Sequence, residues 1–282
     1  MQTRMKLHLF LAAAAILAAP AFAAQDPTVV TYAQRRALLA ADVGCGLLAP
    51  EPRAALTAMT AQARSTLVRA GWTRAQLADL ESKAIAAGRR HACASPALTT
   101  AAASARAGYQ GWRKLGAMAF PGSAAGWTSR RTPDPTGWLV FQDLPDGGGA
   151  RFGIRQGVAG PELAFTAPDA ARANGARIRL RDAARAPQPG FDAPGRAAAR
   201  LTDRMPMAVE SRAILAAERR AEVFGKTTAT LFVFAPTSLQ ALTALDPREA
   251  IGLELPMADG AMRLYVVEVG DLAAAYAFAA LR

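Results

Sequence analysis

The chain reads as an α+β protein. A disulfide-braced helical bundle comes first, followed by an antiparallel β sandwich or partly open barrel with flanking helices. Three observations predict this. Apolar residues recur at helical spacing from Pro27 to about Met118. Composition shifts near Phe120, and short alternating runs bounded by turn residues follow to the end. Cys45 and Cys93 are the only cysteines, an even pair that an oxidising compartment would join. The expected organisation is a signal peptide over 1–23, a helical domain over 24–119, a linker over 120–136 and a β-rich α+β domain over 137–282.

The first residues carry the compartment argument. Arg4 and Lys6 form a positive start, Leu7 to Leu17 is apolar apart from His8, and Pro20 breaks the run. Ala21-Phe22-Ala23 offers small residues at −3 and −1, so cleavage is expected after Ala23. Either Met1 or Met5 can serve as the start. The competing reading, an N-terminal membrane anchor, needs about 20 apolar residues, and this run is shorter. No cysteine follows the cut for lipid attachment, and the mature chain holds no second long apolar stretch. A periplasmic or secreted protein without a transmembrane segment is the expectation.

The helices follow in order. Residues 29–48 place Leu38, Leu39, Val43, Leu47 and Leu48 at mostly helical spacing, and Pro50 and Pro52 interrupt. A second helix over about 52–70 ends at Gly71, a C-terminal cap. Thr73 to Gln76 is a capping box for a third helix with Leu77, Leu80, Ala84 and Ala87. Ser95-Pro96 opens a fourth, through Leu98, Ala102, Ala105, Tyr109 and Trp112. Cys45 then falls late in the first helix and Cys93 just after the third. Their bridge would close a loop of roughly 49 residues, near 4 kcal/mol by chain entropy.

Strands are expected at 137–142, 151–155, 163–166, 176–181, 227–234, 251–255 and 262–269. Gly147-Gly148-Gly149 reads as a hairpin tip, and Asn174-Gly175 and Asp259-Gly260 as turns. Residues 183–204, rich in Ala, Pro and Arg, read as a loop. Residues 207–222 read as a helix with Ile214, Leu215 and Val223 on one side. Thr237 to Gln240 matches a second capping box, and Asp271 precedes a closing helix over 272–281.

Charge and chemistry narrow the function. The full chain holds 33 Lys+Arg against 22 Asp+Glu. Losing Arg4 and Lys6 leaves a net charge of about +9. Such a surplus suits acidic polymers or lipid phosphates, and export argues against nucleic acid. A basic compositional bias explains it equally. After cleavage His91 is the only histidine, which leaves a His-dependent triad little to draw on. Zinc through Cys45, Cys93 and His91 would lack a fourth ligand, and a thiol nucleophile would compete with the disulfide. No G-x-S-x-G, H-E-x-x-H, C-x-x-C or nucleotide-binding glycine pattern is present. Lys226-Thr227-Thr228 lacks the S-x-x-K partner of the penicillin-recognising enzymes. No catalytic residue, metal or cofactor is therefore assigned.

Two candidate sites remain. Eight arginines fall between Arg172 and Arg204. Arg177, Arg179 and Arg181 alternate with inward Ile178 and Leu180, so they form a row on one strand face. Planar, permanently charged donors in a row suit phosphate or carboxylate. They also suit an edge-strand guard or a solvated face. Glu254 and Glu268, on the last two strands, are the carboxylates that could meet for hydrolytic chemistry. Ion pairing with Arg248 or Arg263 is the plainer reading of them.

The spacing Cys45, Cys93, Trp112, with the strings Leu245-Asp-Pro-Arg-Glu-Ala250 and Val267-Glu-Val-Gly-Asp271, resembles a class of exported bacterial proteins. In that class an Ala-rich two-Cys helical segment precedes a β-rich part, and no known activity comes with the resemblance. The strand from Trp138 and the closing Ala-rich helix also look like the invasion-associated protein B type of periplasmic β domain. The cysteines expected in that β region are absent here. The expected function is a non-enzymatic binding or envelope-associated module whose partner is an envelope protein or an acidic envelope component. The alternative is a carboxylate-dependent hydrolase acting on envelope polymer.

Overall fold

The computed structural model describes residues 26–145, 148–168, 170–189, 200–224 and 227–281. The export signal expected over 1–23 lies outside the described residues, as do Gly147 and Lys226. Four helices come first: α1 (Pro27–Cys45), α2 (Pro50–Arg69), α3 (Arg74–Arg90) and α4 (Pro96–Arg113). Asp26 starts α1 by accepting the Thr28 N–H at 2.8 Å. Gly46, in the left-handed conformation at φ 59°, stops it before the expected end. Asp42 then accepts the Leu48 N–H at 2.7 Å and the Arg53 guanidinium, which fixes the α1–α2 turn. The Thr73–Gln76 capping box forms as read. Ser95 makes no cap bond, and Pro96 alone marks the start of α4.

Small residues set the helix spacing. A Cβ at Gly88 of α3 would collide with the Ala37 carbonyl of α1, so these helices touch backbone to backbone. Two modest apolar clusters result. One gathers Tyr32, Leu67 and Leu77, the other Leu38, Leu56 and Leu98. The Cys45–Cys93 disulfide forms, with Cα atoms 5.4 Å apart, and ties the end of α1 to the α3–α4 turn.

Ten strands follow: β1 (Ala117–Phe120), β2 (Trp127–Arg130), β3 (Trp138–Asp143), β4 (Arg151–Gly157), β5 (Gly160–Ala167), β6 (Arg177–Arg181), β7 (Ser211–Phe224), β8 (Thr227–Phe234), β9 (Ala250–Pro256) and β10 (Met262–Glu268). Among the described residues they form one sheet in the order β1-β2-β3-β4-β5-β8-β7-β6-β9-β10, and every ladder is antiparallel. The sheet is open, with β1 and β10 as its edges. It curves enough for Phe165 of β5 and Tyr265 of β10 to meet across the core, ring centroids 5.3 Å apart.

Two helices complete the chain, α5 (Thr237–Thr243) and α6 (Leu272–Ala280). The expected Thr237 capping box is absent, because α5 begins one residue after a helical Pro236 that offers no side-chain acceptor. Asp271 does precede α6 but caps nothing with its side chain. It takes Arg69 of α2 instead, at 3.0 and 3.3 Å. Phe278 of α6 packs on Trp112 of α4 and Phe120 of β1, centroids 5.4 and 5.9 Å away. Arg131 donates to the carbonyls of Trp112, Leu115 and Leu281 together. The helical part thus shares the large core with the sheet.

Two expectations are corrected. Composition predicts a linker over 120–136, yet the stretch contains β2, and Phe120 and Trp127 in it are fully buried. Its strands are too short to show a period. Composition predicts a helix over 207–222, but the chain there forms β7, the longest of the described strands. Ala, Glu and Arg favour helix, but only weakly. Here both edges of the segment are claimed, by β6 over 211–215 and by β8 over 216–224, with an irregularity between Ala216 and Glu218. Pairing on two sides outweighs propensity.

Candidate binding face

Strand β6 lies between β7 and β9, so its arginine row does not guard an edge. Ile178 and Leu180 enter the core as expected. Arg177, Arg179 and Arg181 point to the opposite face, where cross-strand partners share their direction. Register sets the rows. Leu215, Arg177, Glu254 and Leu264 lie across β7, β6, β9 and β10. Ala213, Arg179, Gly252 and Val266 form the next row.

The three arginines differ in what they meet. Arg181 is a buried structural ion. Its guanidinium grips Glu249 through two bonds of 2.9 and 2.8 Å and also donates to the Ala186 carbonyl at 2.7 Å. Glu249 spends a further lone pair on the Asp246 N–H at 2.8 Å. Arg177 and Arg179 share one carboxylate, Glu254, at 2.6 and 3.2 Å. The side chain of Arg177 stays 41% exposed and that of Arg179 29%, against 9% for Arg181. Two cations on one carboxylate leave this part of the face with a net positive charge.

The Glu254–Glu268 pair takes a different shape from the one the sequence suggests. Glu254 faces Leu264 and Glu268 faces Ala250, an offset of four residues, or about 13 Å of strand. Glu268 is fully buried. It accepts the backbone N–H groups of Ser123, Ala124 and Ala125 at 2.6, 2.7 and 2.8 Å, and Arg204 lies 3.8 Å away. It anchors the β1–β2 turn. Glu254 is the counter-ion of Arg177 and Arg179.

What sequence reading missed is the apolar component of this face. Leu215 is 70% exposed, Met262 48% and Leu264 45%. A helix over 207–222 would set Leu215 beside Ile214, whereas on a strand the two point to opposite sides. Ile214 packs against the core and Leu215 stands in solvent. Met205 lies flat on Gly252, where a Cβ would come within 2.6 Å of its Cε, and touches the Arg179 guanidinium at 3.9 Å.

The other half of the same sheet face is a closed ion network. Arg220 contacts Glu162, Glu218 and Glu222 at 2.7, 2.8 and 3.3 Å. Its hydrogen bond to Glu218, followed by the nearby acidic charges, outweighs burial and raises its pKa. Beside it Arg151 lies over the Phe141 ring at 3.9 Å and pairs with Asp134 and Asp143. His91 ends α3, with Cys93 nearby in the disulfide rather than free. No group of three or more His, Cys, Asp or Glu among the described residues is placed to hold a metal, and no helix there is long and apolar enough to cross a membrane. Comparison with known protein families, with curated proteins and with solved structures finds no match to this chain.

Proposed function

We propose that this chain is an exported, non-enzymatic binding module of the cell envelope. It docks through the outer face of β7, β6, β9 and β10 onto an acidic envelope component. The observation that carries the reading is the exposed Leu215 and Leu264 flanking Arg177 and Arg179, which share one carboxylate. Apolar area edged by unbalanced arginine is the composition that anionic amphipathic surfaces meet well. The buried carboxylates of the same half, Glu249, Glu254 and Glu268, serve as counter-ions or amide acceptors, which supports a binding role over an acid–base one. Export rests on the N-terminal signal and agrees with the disulfide.

The test is co-sedimentation of the mature protein with phosphatidylcholine vesicles, with and without phosphatidylglycerol, across a salt series. Retention is expected on the anionic vesicles only, weakening as salt rises. Arg177→Gln and Leu215→Ser should each reduce it several-fold. Equal retention by both variants, or none by the native protein, overturns the reading.

A further inference from the structure

We infer that the free edge of β10 pairs with β10 of a second copy of this chain, joining two sheets about a two-fold axis. The phase of the ladder shows which groups are free. Val269 donates to the Glu249 carbonyl at 3.0 Å, and Met257 donates to the Ala261 carbonyl at 2.8 Å. Odd-numbered residues of this strand therefore bond to β9, and even-numbered ones turn their N–H and C=O outward. Gln142 confirms the phase at Glu268. Its carboxamide accepts the Glu268 N–H at 3.2 Å and donates to the Glu268 carbonyl at 3.3 Å, as a neighbouring strand would.

That side chain blocks the C-terminal end of the edge. Among the described residues, no hydrogen bond meets the outward groups of Met262, Leu264 and Val266. The strand grows more exposed toward Met262. Between 262 and 266 it has no Pro or bulge, and its one charge, Arg263, lies on the face opposite Leu264.

Self-complementarity selects the occupant. The open stretch is centred on Leu264. An antiparallel second copy in the same register sets Leu264 against Leu264 and Met262 against Val266, forming about six backbone hydrogen bonds. Every pair on the outer face is then apolar, and Met262 and Leu264 gain cross-strand neighbours while the face they share with Leu215 and Arg177 stays open. On the other face each Arg263 meets Tyr265, so no like charges stand opposite. Any longer partner strand would run into Gln142.

The mature protein is expected to sediment at twice the mass of one chain. Raising salt should favour that form by screening two positively charged copies, the reverse of its effect on vesicle retention. Leu264→Pro removes only an outward N–H and leaves the β9 ladder intact. Leu264→Lys places like charges opposite each other. Both should give a monomer with an unchanged circular dichroism spectrum. Leu264→Cys should crosslink two copies on oxidation, since facing Cα atoms would lie about 5.5 Å apart, and Met262→Cys should not. A native monomer in low and high salt, a dimer that survives Leu264→Pro and Leu264→Lys, or equal crosslinking through Met262→Cys overturns the inference.

Discussion

At the scale of single residues, three arginines with one sequence signature have different roles. Arg181 and Glu249 are both buried and bonded to each other twice. Arg181→Gln strands a buried carboxylate and should cost about 3–5 kcal/mol. Arg177 is partly exposed and shares Glu254 with Arg179. Arg177→Gln should cost less than about 1 kcal/mol. Urea titration of the two variants checks the contrast, and equal losses would contradict it. Strand alternation predicts that 177, 179 and 181 share a face. It contains nothing about which of them finds a buried glutamate 68 residues away.

Two aspartates make stability depend on acid. Burial pushes Asp42 up, but bonds from Arg53 and the Leu48 amide outweigh it and hold its pKa below the usual carboxylate range. Asp134 is likewise pushed up by burial. It is pulled further down by the Trp138 amide, the Thr136 hydroxyl and amide, and Arg151. Lowered folded pKa values mean this stabilisation is complete above the unfolded value of about 3.9 and is lost as pH falls through the folded values. The urea midpoint should hold through mildly acidic pH and drop below about pH 4. Asp42→Asn should flatten part of that drop, and an unchanged profile would remove Asp42 from the account.

At the scale of elements, periodicity and caps were legible where an element satisfies itself locally. The four helices announce themselves through Pro50, Gly71, Pro96 and the Thr73 box, because backbone groups at a helix end are met by near neighbours; only the stop of α1 at Gly46 falls earlier than its apolar pattern suggests. Strands need partners from elsewhere. β7 has helix-forming composition, and only its two ladders make it a strand. A signal was present all the same: Glu218, Arg220 and Glu222 alternate in charge at every second residue and form ion pairs on one sheet face. The disulfide belongs to this scale too. Its loop closure contributes about 4 kcal/mol in the chain-entropy model, within helices whose own clusters are small. If the N-terminal signal is cleaved as proposed, mass spectrometry of the protein taken from its cells should find a chain beginning at Ala24 with no alkylatable thiol until reduction, and the reduced form should unfold at lower urea. Two free thiols in the native protein would refute this.

At the scale of the molecule, the helical part and the sheet share one core. Phe278 of α6 meets Trp112 of α4 edge-on and Phe120 of β1 at a tilt, and Arg131 gathers carbonyls from the ends of α4 and α6. A linker between two independent units does not describe 120–136. Removing α1 to α4 would take Trp112 away from Phe278.

By itself the sequence determined the disulfide partners, the first four helices and most of the strands. Each of these follows from local periodicity, from capping or from having only two cysteines. Tertiary structure alone decided that β6 is interior, that Arg181 is buried while Arg177 is not, and that Leu215 faces solvent. It also decided that β10 ends the sheet, with the outward groups of Met262, Leu264 and Val266 unmet among the described residues. Those facts depend on which strands neighbour one another. Pairing between strands far apart in the chain leaves no period for a reader of sequence to find.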